Sequence, residues 1–171
     1  MSDDTGEVRG LIRRNGTRIE IQLEREFDHP PETVWDMLTN PVQLALWMAP
    51  GVFEAKAGGR IQLDFGASGT PIEGLVQICE PNRLLTYSWS AGNDPERPMR
   101  WELSERNGTT HLTLSIQLPD NDLVAISCAG WDAHLEMLMA ALEGISISFP
   151  AARFRKAREV FAEMAKRVQV A

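Results

Sequence analysis

Among the side chains of this 171-residue sequence that could bind a ligand or move a proton, the imidazole of His134 shares a helix face with apolar residues. It follows Trp131 by three residues and precedes Leu138 by four, so on a helix the three side chains share one face. A histidine there can hydrogen-bond a ligand or act as a general base. The alternative is an ordinary helix histidine, partly exposed or satisfied within the protein.

A cationic candidate, Arg25, lies on a predicted strand in phase with Ile21, Leu23 and Phe27. Residues two apart on a strand point to the same face, so the guanidinium is directed toward the apolar side. A buried guanidinium needs a carboxylate partner or the anionic head of a ligand. Alternatively, Arg25 is not buried and its side chain reaches solvent at the end of the strand.

Aromatic residues fall on the apolar faces of several predicted strands and of one helix. Each large ring buries about 150–250 Å², and tryptophan and tyrosine also carry a polar group that needs a partner. Such linings are typical of small-ligand pockets, although close packing without a cavity is the alternative. The candidate ligand-binding residues are Arg25, Trp47, Phe53, Leu63, Phe65, Tyr87, Trp89, Trp101, Trp131, His134, Leu135 and Leu138.

Motifs that would assign a reaction are missing from the sequence. We find no phosphate-binding loop, dinucleotide fingerprint, zinc-protease helix or serine nucleophile elbow. The histidines His29, His111 and His134 are scattered, and no Cys/His spacing indicates a metal. We therefore expect no metal, no cofactor and no assignable catalytic residue, while an enzyme that uses an isolated acid or base stays open as an alternative.

The overall charge narrows the classes of partner. A formal net charge of −7 disfavours nucleic acid and anionic membranes, both of which need a concentrated positive surface. The densest apolar run, residues 137–142, is far too short to cross a bilayer. The acidic start Met1-Ser2-Asp3-Asp4 lacks the basic and apolar segments of a secretion signal, which favours a cytoplasmic protein.

The order of predicted elements indicates one α+β domain. Asn15-Gly16 separates two strand-like runs as a hairpin turn does, and two short helices follow near Pro31 and Pro41. Alternating strands with short connections then predict a meander. Helical spacing returns over residues 122–143 and 151–168. We expect residues 1–7 to be a flexible tail and residues 8–171 to be a single domain.

A curved antiparallel sheet with one apolar face must be covered, and the long helix around Trp131 is the natural cover. The resulting arrangement is a helix-grip fold, in which the sheet wraps around a long C-terminal helix and can leave a gap beneath it. The apolar edge of the last helix is expected to pack on the domain. The alternative is that this edge forms a homodimer surface.

Several segments in this order resemble the SRPBCC (START-like, Bet v 1-like) superfamily, in the branch related to the activator of Hsp90 ATPase. The resemblance extends over residues 8–168. The matching segments are FDHPPETVW (27–35), LALWMAP (44–50), GGRI (58–61), GLVQI (74–78), PNRLL (81–85), GTTHLTL (108–114) and AGW (129–131).

The resemblance implies a helix-grip fold with a deep cavity between sheet and long helix. Similar proteins bind lipids, sterols, polyketides or other hydrophobic compounds, and some are cyclases or hydrolases. Many have histidine directly after the position of Trp131, where this chain has Asp132. We expect a binding protein for a small hydrophobic or amphipathic molecule; the alternatives are a cavity enzyme and a co-chaperone-like module for protein partners.

Overall fold

The computed structural model describes residues 7–64, 71–91 and 96–169 of the chain. The described strands are β1 (Leu11–Asn15), β2 (Arg18–Phe27), β3 (Gly51–Phe53), β4 (Arg60–Leu63), β5 (Ile72–Glu80), β6 (Leu84–Ser88), β7 (Ser90–Ala91), β8 (Pro98–Arg106) and β9 (Thr109–Pro119). The described helices are α1 (Pro31–Thr39), α2 (Pro41–Trp47), α3 (Val124–Leu142) and α4 (Ala151–Gln169).

The strands form one open antiparallel sheet in the order β1-β2-β9-β8-β6-β5-β4-β3, with β7 pairing with β5. From β3 to β9 the path follows the chain, as the predicted meander requires. The pairing of β2 with β9 joins distant parts of the sequence, from Arg18 opposite Pro119 to Phe27 opposite Thr110. This long-range pairing brings the first hairpin beside the last, and the predicted helix-grip α+β fold is confirmed.

Turn chemistry fixes the register of the two long hairpins. Between β8 and β9, Asn107 and Gly108 both have positive φ, 54° and 80°, as a type I′ turn requires. Between β1 and β2 only Gly16 has a positive φ, 64°. The turn there lies one residue later than the Asn15-Gly16 pair suggests, because Asn15 still pairs with Arg18.

The two short helices form a bent pair at one end of the sheet. Proline begins each helix, where its missing N–H breaks no hydrogen bond. The Asn40 side chain caps α2 by accepting a hydrogen bond from the backbone N–H of Val42 at 3.0 Å. Leu44 and Trp47 on α2 are buried, so this pair anchors one side of the core.

Helix α3 carries the buried residues Trp131, Leu135 and Leu138 against the sheet. Helix α4 packs on α3 and β1, and its Ala157 and Phe161 are fully buried. The last helix therefore packs on the domain, as its apolar edge predicts. The possible homodimer stays a prediction. In the described parts of the chain, no helix combines the length and apolarity needed to span a bilayer.

Candidate functional site

Six aromatic residues form a connected group between the sheet and α3, here called the aromatic cluster. Their rings meet edge to face: Trp101 contacts both Trp47 and Trp131, with centroids 6.2 and 5.9 Å apart, and Trp89 contacts Trp131 at 4.9 Å. A further pair, Phe53 and Tyr87, lies at 5.7 Å. The cluster consists of Trp47, Phe53, Tyr87, Trp89, Trp101 and Trp131.

The inner part of the cluster is sealed and its polar atoms are paired. Trp47, Tyr87 and Trp101 have exposed fractions of 0–2%. The indole N–H of Trp101 donates to the Tyr87 hydroxyl at 3.0 Å, and that of Trp47 donates to the backbone carbonyl of Met37 at 2.8 Å. Burial raises the pKa of Tyr87 well above its ordinary value, so its hydroxyl stays neutral. This inner part is a satisfied core.

The outer end of the cluster is less completely covered. Trp89 keeps 9% of its surface exposed and Trp131 keeps 7%. Trp89 stands between β6 and β7, and Trp131 is on α3. Trp89 and Trp131 are thus the two most exposed rings of the cluster, followed by Phe53 at 6%, whereas Trp101 is fully buried.

The imidazole of His134 lies beside this outer end. Its Nδ1 is 3.1 Å from the backbone carbonyl of Trp47, and its ring centroid is 6.0 Å from that of Trp131 and 5.9 Å from that of Phe149. A carbonyl only accepts hydrogen bonds, so Nδ1 carries the proton. Burial lowers the pKa of His134 below its ordinary value, which keeps the imidazole neutral at pH 7.

The guanidinium of Arg25 has a carboxylate partner, the first of the readings that its position left open. Its Nη2 donates to Oδ1 of Asp132 at 2.6 Å. The same carboxylate accepts from Arg153 on α4, at 2.7 Å to Oδ2 and 3.1 Å to Oδ1. The carboxylate of Glu136 lies farther off, 3.8 Å from Arg25 and 3.6 Å from Arg153. This ion network joins β2, α3 and α4.

Sequence reasoning missed Asp132 and Arg153 as the partners of Arg25. One signal was available: Asp132 is the first charged residue of α3 and stands between Trp131 and Ala133, both of which are buried. A carboxylate at a buried position needs a cation. Arg153 gave no comparable signal, because its place depends on how α4 crosses α3.

The remaining candidates are apolar. Leu63, Leu135 and Leu138 are almost fully buried, and Phe53 is buried on the short edge strand β3. Phe65 lies outside the described residues. The described candidate residues thus belong to three groups. One is the aromatic cluster with His134, the second is the apolar core around this cluster, and the third is the ion network of Arg25.

Four clefts with described linings lie outside the aromatic cluster. The largest of them, about 750 Å³, lies beside Arg25 and is lined by charges of both signs, among them Glu24, Glu136 and Arg153. A second, of about 470 Å³, lies on the polar face of the sheet. Over the described ranges, no group of three or more His, Cys, Asp or Glu side chains is arranged to hold a metal ion.

One known protein family matches most of this chain. The family described as activator of Hsp90 ATPase homolog 1-like protein matches residues 28–143, about two thirds of the sequence. The chain belongs to this family. It is a branch of the SRPBCC superfamily, so the resemblance seen in the sequence is confirmed. The match contains α1 to α3 and the strands between them, and therefore the whole aromatic cluster.

Solved structures extend the likeness to nearly the whole chain. CalU16 from Micromonospora echinospora superposes with a TM-score of 0.79 at 23% identity, over 92% of this chain and 97% of its own. EF2215 from Enterococcus faecalis, a conserved protein of unknown function, also gives 0.79, at 19% identity over 94% and 92%. At these identities the likeness is one of fold.

A further neighbour comes from a biosynthetic locus. DynU16, a protein of the dynemicin biosynthetic locus, gives a TM-score of 0.67 at 28% identity, over 72% of this chain and 47% of its own. No protein of curated function matches the chain. The family and the fold of the chain are thus shown.

Proposed function

We propose that this family member binds a small apolar molecule between the sheet and α3, at the Trp89–Trp131 end of the aromatic cluster. The observation that carries the proposal is the contact between Trp89 and Trp131, the two most exposed rings of the cluster. Trp89 and Trp131 contact each other at 4.9 Å yet keep 9% and 7% exposure, whereas the neighbouring Trp101 has none. Apolar walls with few polar groups are typical of small-ligand sites.

The electrostatics of this end favour an uncharged ligand. The aromatic cluster carries no formal charge, and the lowered pKa of His134 keeps that ring neutral. The nearest candidate cation, Arg25, is already paired with Asp132 at 2.6 Å. A charged ligand buried here would lose its hydration without gaining a counter-ion.

The family and its neighbours support a small molecule over a macromolecule as partner. DynU16 belongs to a biosynthetic locus, which supports including natural products among the compounds tested. The net charge of −7 supports the absence of nucleic acid and anionic membrane among the partners.

The first experiment is native mass spectrometry of the purified protein, followed by a melting-temperature screen of uncharged aromatic natural products, sterols and lipids. A ligand that binds only the folded state stabilises it by about 2.7 kcal/mol at a hundred times its dissociation constant. We expect a co-purified mass or a clear rise in melting temperature. A complete screen with no stabiliser and no bound mass would contradict the proposal.

A pair of tryptophan variants locates the site. Trp89→Ala should weaken binding of any hit by about tenfold or more, since a large apolar wall is lost. Trp35→Ala is the matched control, because Trp35 on α1 is 8% exposed but stands outside the aromatic cluster. Equal losses in the two variants would place the ligand elsewhere.

A second candidate function, catalysis within the same site, is favoured by the fixed tautomer of His134. With the proton held on Nδ1 by the Trp47 carbonyl, the lone pair is on Nε2, as a general base requires. If the bound compound is converted by the wild-type protein, His134→Gln should stop conversion while binding is retained. Conversion at the wild-type rate by His134→Gln would exclude this role.

A further inference from the structure

The chain between α3 and α4 exposes three large apolar side chains at alternating positions. Ile145, Ile147 and Phe149 have exposed fractions of 57%, 39% and 43%, and serine separates them at positions 146 and 148. From residue 145 to residue 150 the chain forms no helix, strand, turn or bend, so it is close to extended. Side chains two apart on an extended chain point the same way, so the three apolar residues share one side. Residues 145–149 are here called the connector.

The backbone of the connector is fixed at both ends and unpaired between them. At the first end, the N–H of Ile145 donates to the carbonyl of Ala140 at 2.9 Å, which ties the connector to the last turn of α3. At the other end, the ring of Phe149 packs on that of His134, with centroids 5.9 Å apart. From residue 146 to residue 149, the backbone forms no hydrogen bond with the backbone of any other described residue. An alternating segment with free backbone groups is a template for pairing with another strand.

The order of residues in the connector is symmetric about Ile147. In both directions from this residue, a serine comes first and a large apolar residue second. When two connectors pair antiparallel around Ile147, serine therefore faces serine and Ile145 faces Phe149. A two-fold interface needs such a self-complementary surface, because both copies use the same patch. We propose that the connector pairs antiparallel with the connector of a second copy of this chain, which makes the protein a two-fold symmetric homodimer.

Charges near the two ends of the connector support a second copy as the partner. Antiparallel pairing brings the end of α3 in one copy towards the start of α4 in the other. Glu143 is exposed at the end of α3, and Arg155 and Arg158 are exposed near the start of α4. Opposite charges thus approach each other twice, once on each side of the two-fold axis, and the serines between them are uncharged.

The connector is separate from the surfaces already described. The apolar edge of α4 packs on α3 and β1 within the same chain, so it does not supply this interface. The proposed ligand site is at the Trp89–Trp131 pair, and neither ring belongs to the connector. The homodimer and the ligand site therefore stand or fall independently.

Sedimentation velocity over a concentration series tests for the dimer. We expect the wild-type protein to change from monomer to dimer as its concentration rises. Ile147→Glu places two like charges face to face at the axis and removes apolar contact, so it should weaken the dimer about tenfold or more. The matched control is Val42→Glu, the same kind of change at an exposed position of α2, which should leave the dimer unchanged. Wild-type protein that stays monomeric up to about 1 mM, or equal effects of the two substitutions, would overturn the inference.

Cysteine cross-linking tests the register of the pair. The variants are made in a Cys79→Ser background, where the remaining thiol of Cys128 is fully buried. Residues directly opposite each other in an antiparallel pair have Cα atoms about 4.5–5.5 Å apart, which is within the range of a disulfide. Ile147→Cys faces itself across the axis and should form a linked dimer under mild oxidation. Ser146→Cys should link slowly alone and quickly when it is mixed with Ser148→Cys, which it faces.

Two outcomes of the cross-linking would contradict this register. Equal linking at positions 146 and 147, when each variant is oxidised alone, would show contact without a two-fold axis at Ile147. Linking at neither position would show that the connectors do not meet. Either result would overturn the inference.

Discussion

Trp131 and Asp132 are consecutive on α3, and their surroundings differ completely. Asp132 is fully buried and accepts hydrogen bonds from two guanidinium groups, on β2 and on α4. Trp131 contacts the aromatic rings of Trp89, Trp101 and His134 and keeps 7% of its surface exposed. The charges of the ion network are paired within the protein, whereas the aromatic end carries no formal charge and is slightly exposed. We infer that the first stabilises the fold and the second binds the ligand.

Arg25 belongs to the ion network and not to the proposed ligand site. Its position on the apolar face of β2 made it a candidate for an anionic ligand head. With Asp132 at 2.6 Å and Arg153 sharing that carboxylate, its chemistry is accounted for within the protein. We therefore base the proposed site on Trp89, Trp131 and their neighbours, without Arg25.

The largest effect should come from breaking the ion network. Asp132→Asn leaves two guanidinium groups without their buried counter-ion, which costs about 3–5 kcal/mol when one partner of a buried pair is lost. Urea unfolding of the purified variant measures this loss. The control is Asp120→Asn, which breaks an ion pair with Arg14 at 2.8 Å near the surface and should cost about 1 kcal/mol or less.

Equal losses in these two variants would mean that the buried network contributes no more than a surface pair. The assignment of a stabilising role to the surroundings of Asp132 would then be wrong. A partial compensation by Glu136, which lies 3.6 Å from Arg153, would reduce the effect without removing it.

A smaller effect is expected within the sealed part of the aromatic cluster. Tyr87→Phe removes the acceptor of the Trp101 N–H and leaves that donor buried and unpaired, at a cost of about 1–3 kcal/mol. The measurement is again urea unfolding. The double variant Tyr87→Phe/Trp101→Phe has no orphaned donor, so its loss should be less than the sum of the single losses. Strict additivity would show that the hydrogen bond has no energetic role.

The smallest effect concerns pH and His134. Its pKa in the folded protein is below the ordinary value of 6.5, so the unfolded chain binds the proton more readily. Stability from this group is therefore complete above pH 6.5 and is lost as the pH falls through the folded pKa. Unfolding free energies at about pH 7.5 and about pH 5.5 should differ more for wild type than for His134→Gln. An identical pH dependence in the two proteins would contradict a buried, neutral His134.

The sequence predicted those parts of the fold that depend on local patterns. Strict alternation in β9 and helical spacing in α3 reveal which side of each element is apolar, and Asn107-Gly108 marks the turn between β8 and β9. The short strand β7 was not predicted, because two residues give no periodicity.

The site was predictable in its residue types but not in its pairing. Rings on the inner faces of strands identified the aromatic cluster, since that signal is local. The ion pair of Arg153 with Asp132 joins residues on different helices, and the bond of His134 to the Trp47 carbonyl uses a backbone atom that every residue has. Neither contact has a sequence signature, because each depends on how the helices pack.

The most direct test follows the five tryptophan indole N–H signals in a two-dimensional ¹H–¹⁵N NMR spectrum during titration with prodan, an uncharged naphthalene ketone. We predict that the signals of Trp131 and Trp89 move most, because these two rings border the proposed site. The signals of Trp47 and Trp101 should move little, because both residues are sealed in the core and donate to protein acceptors. A response confined to Trp35, or no response in any of the five, would contradict a ligand site at the Trp89–Trp131 end of the aromatic cluster.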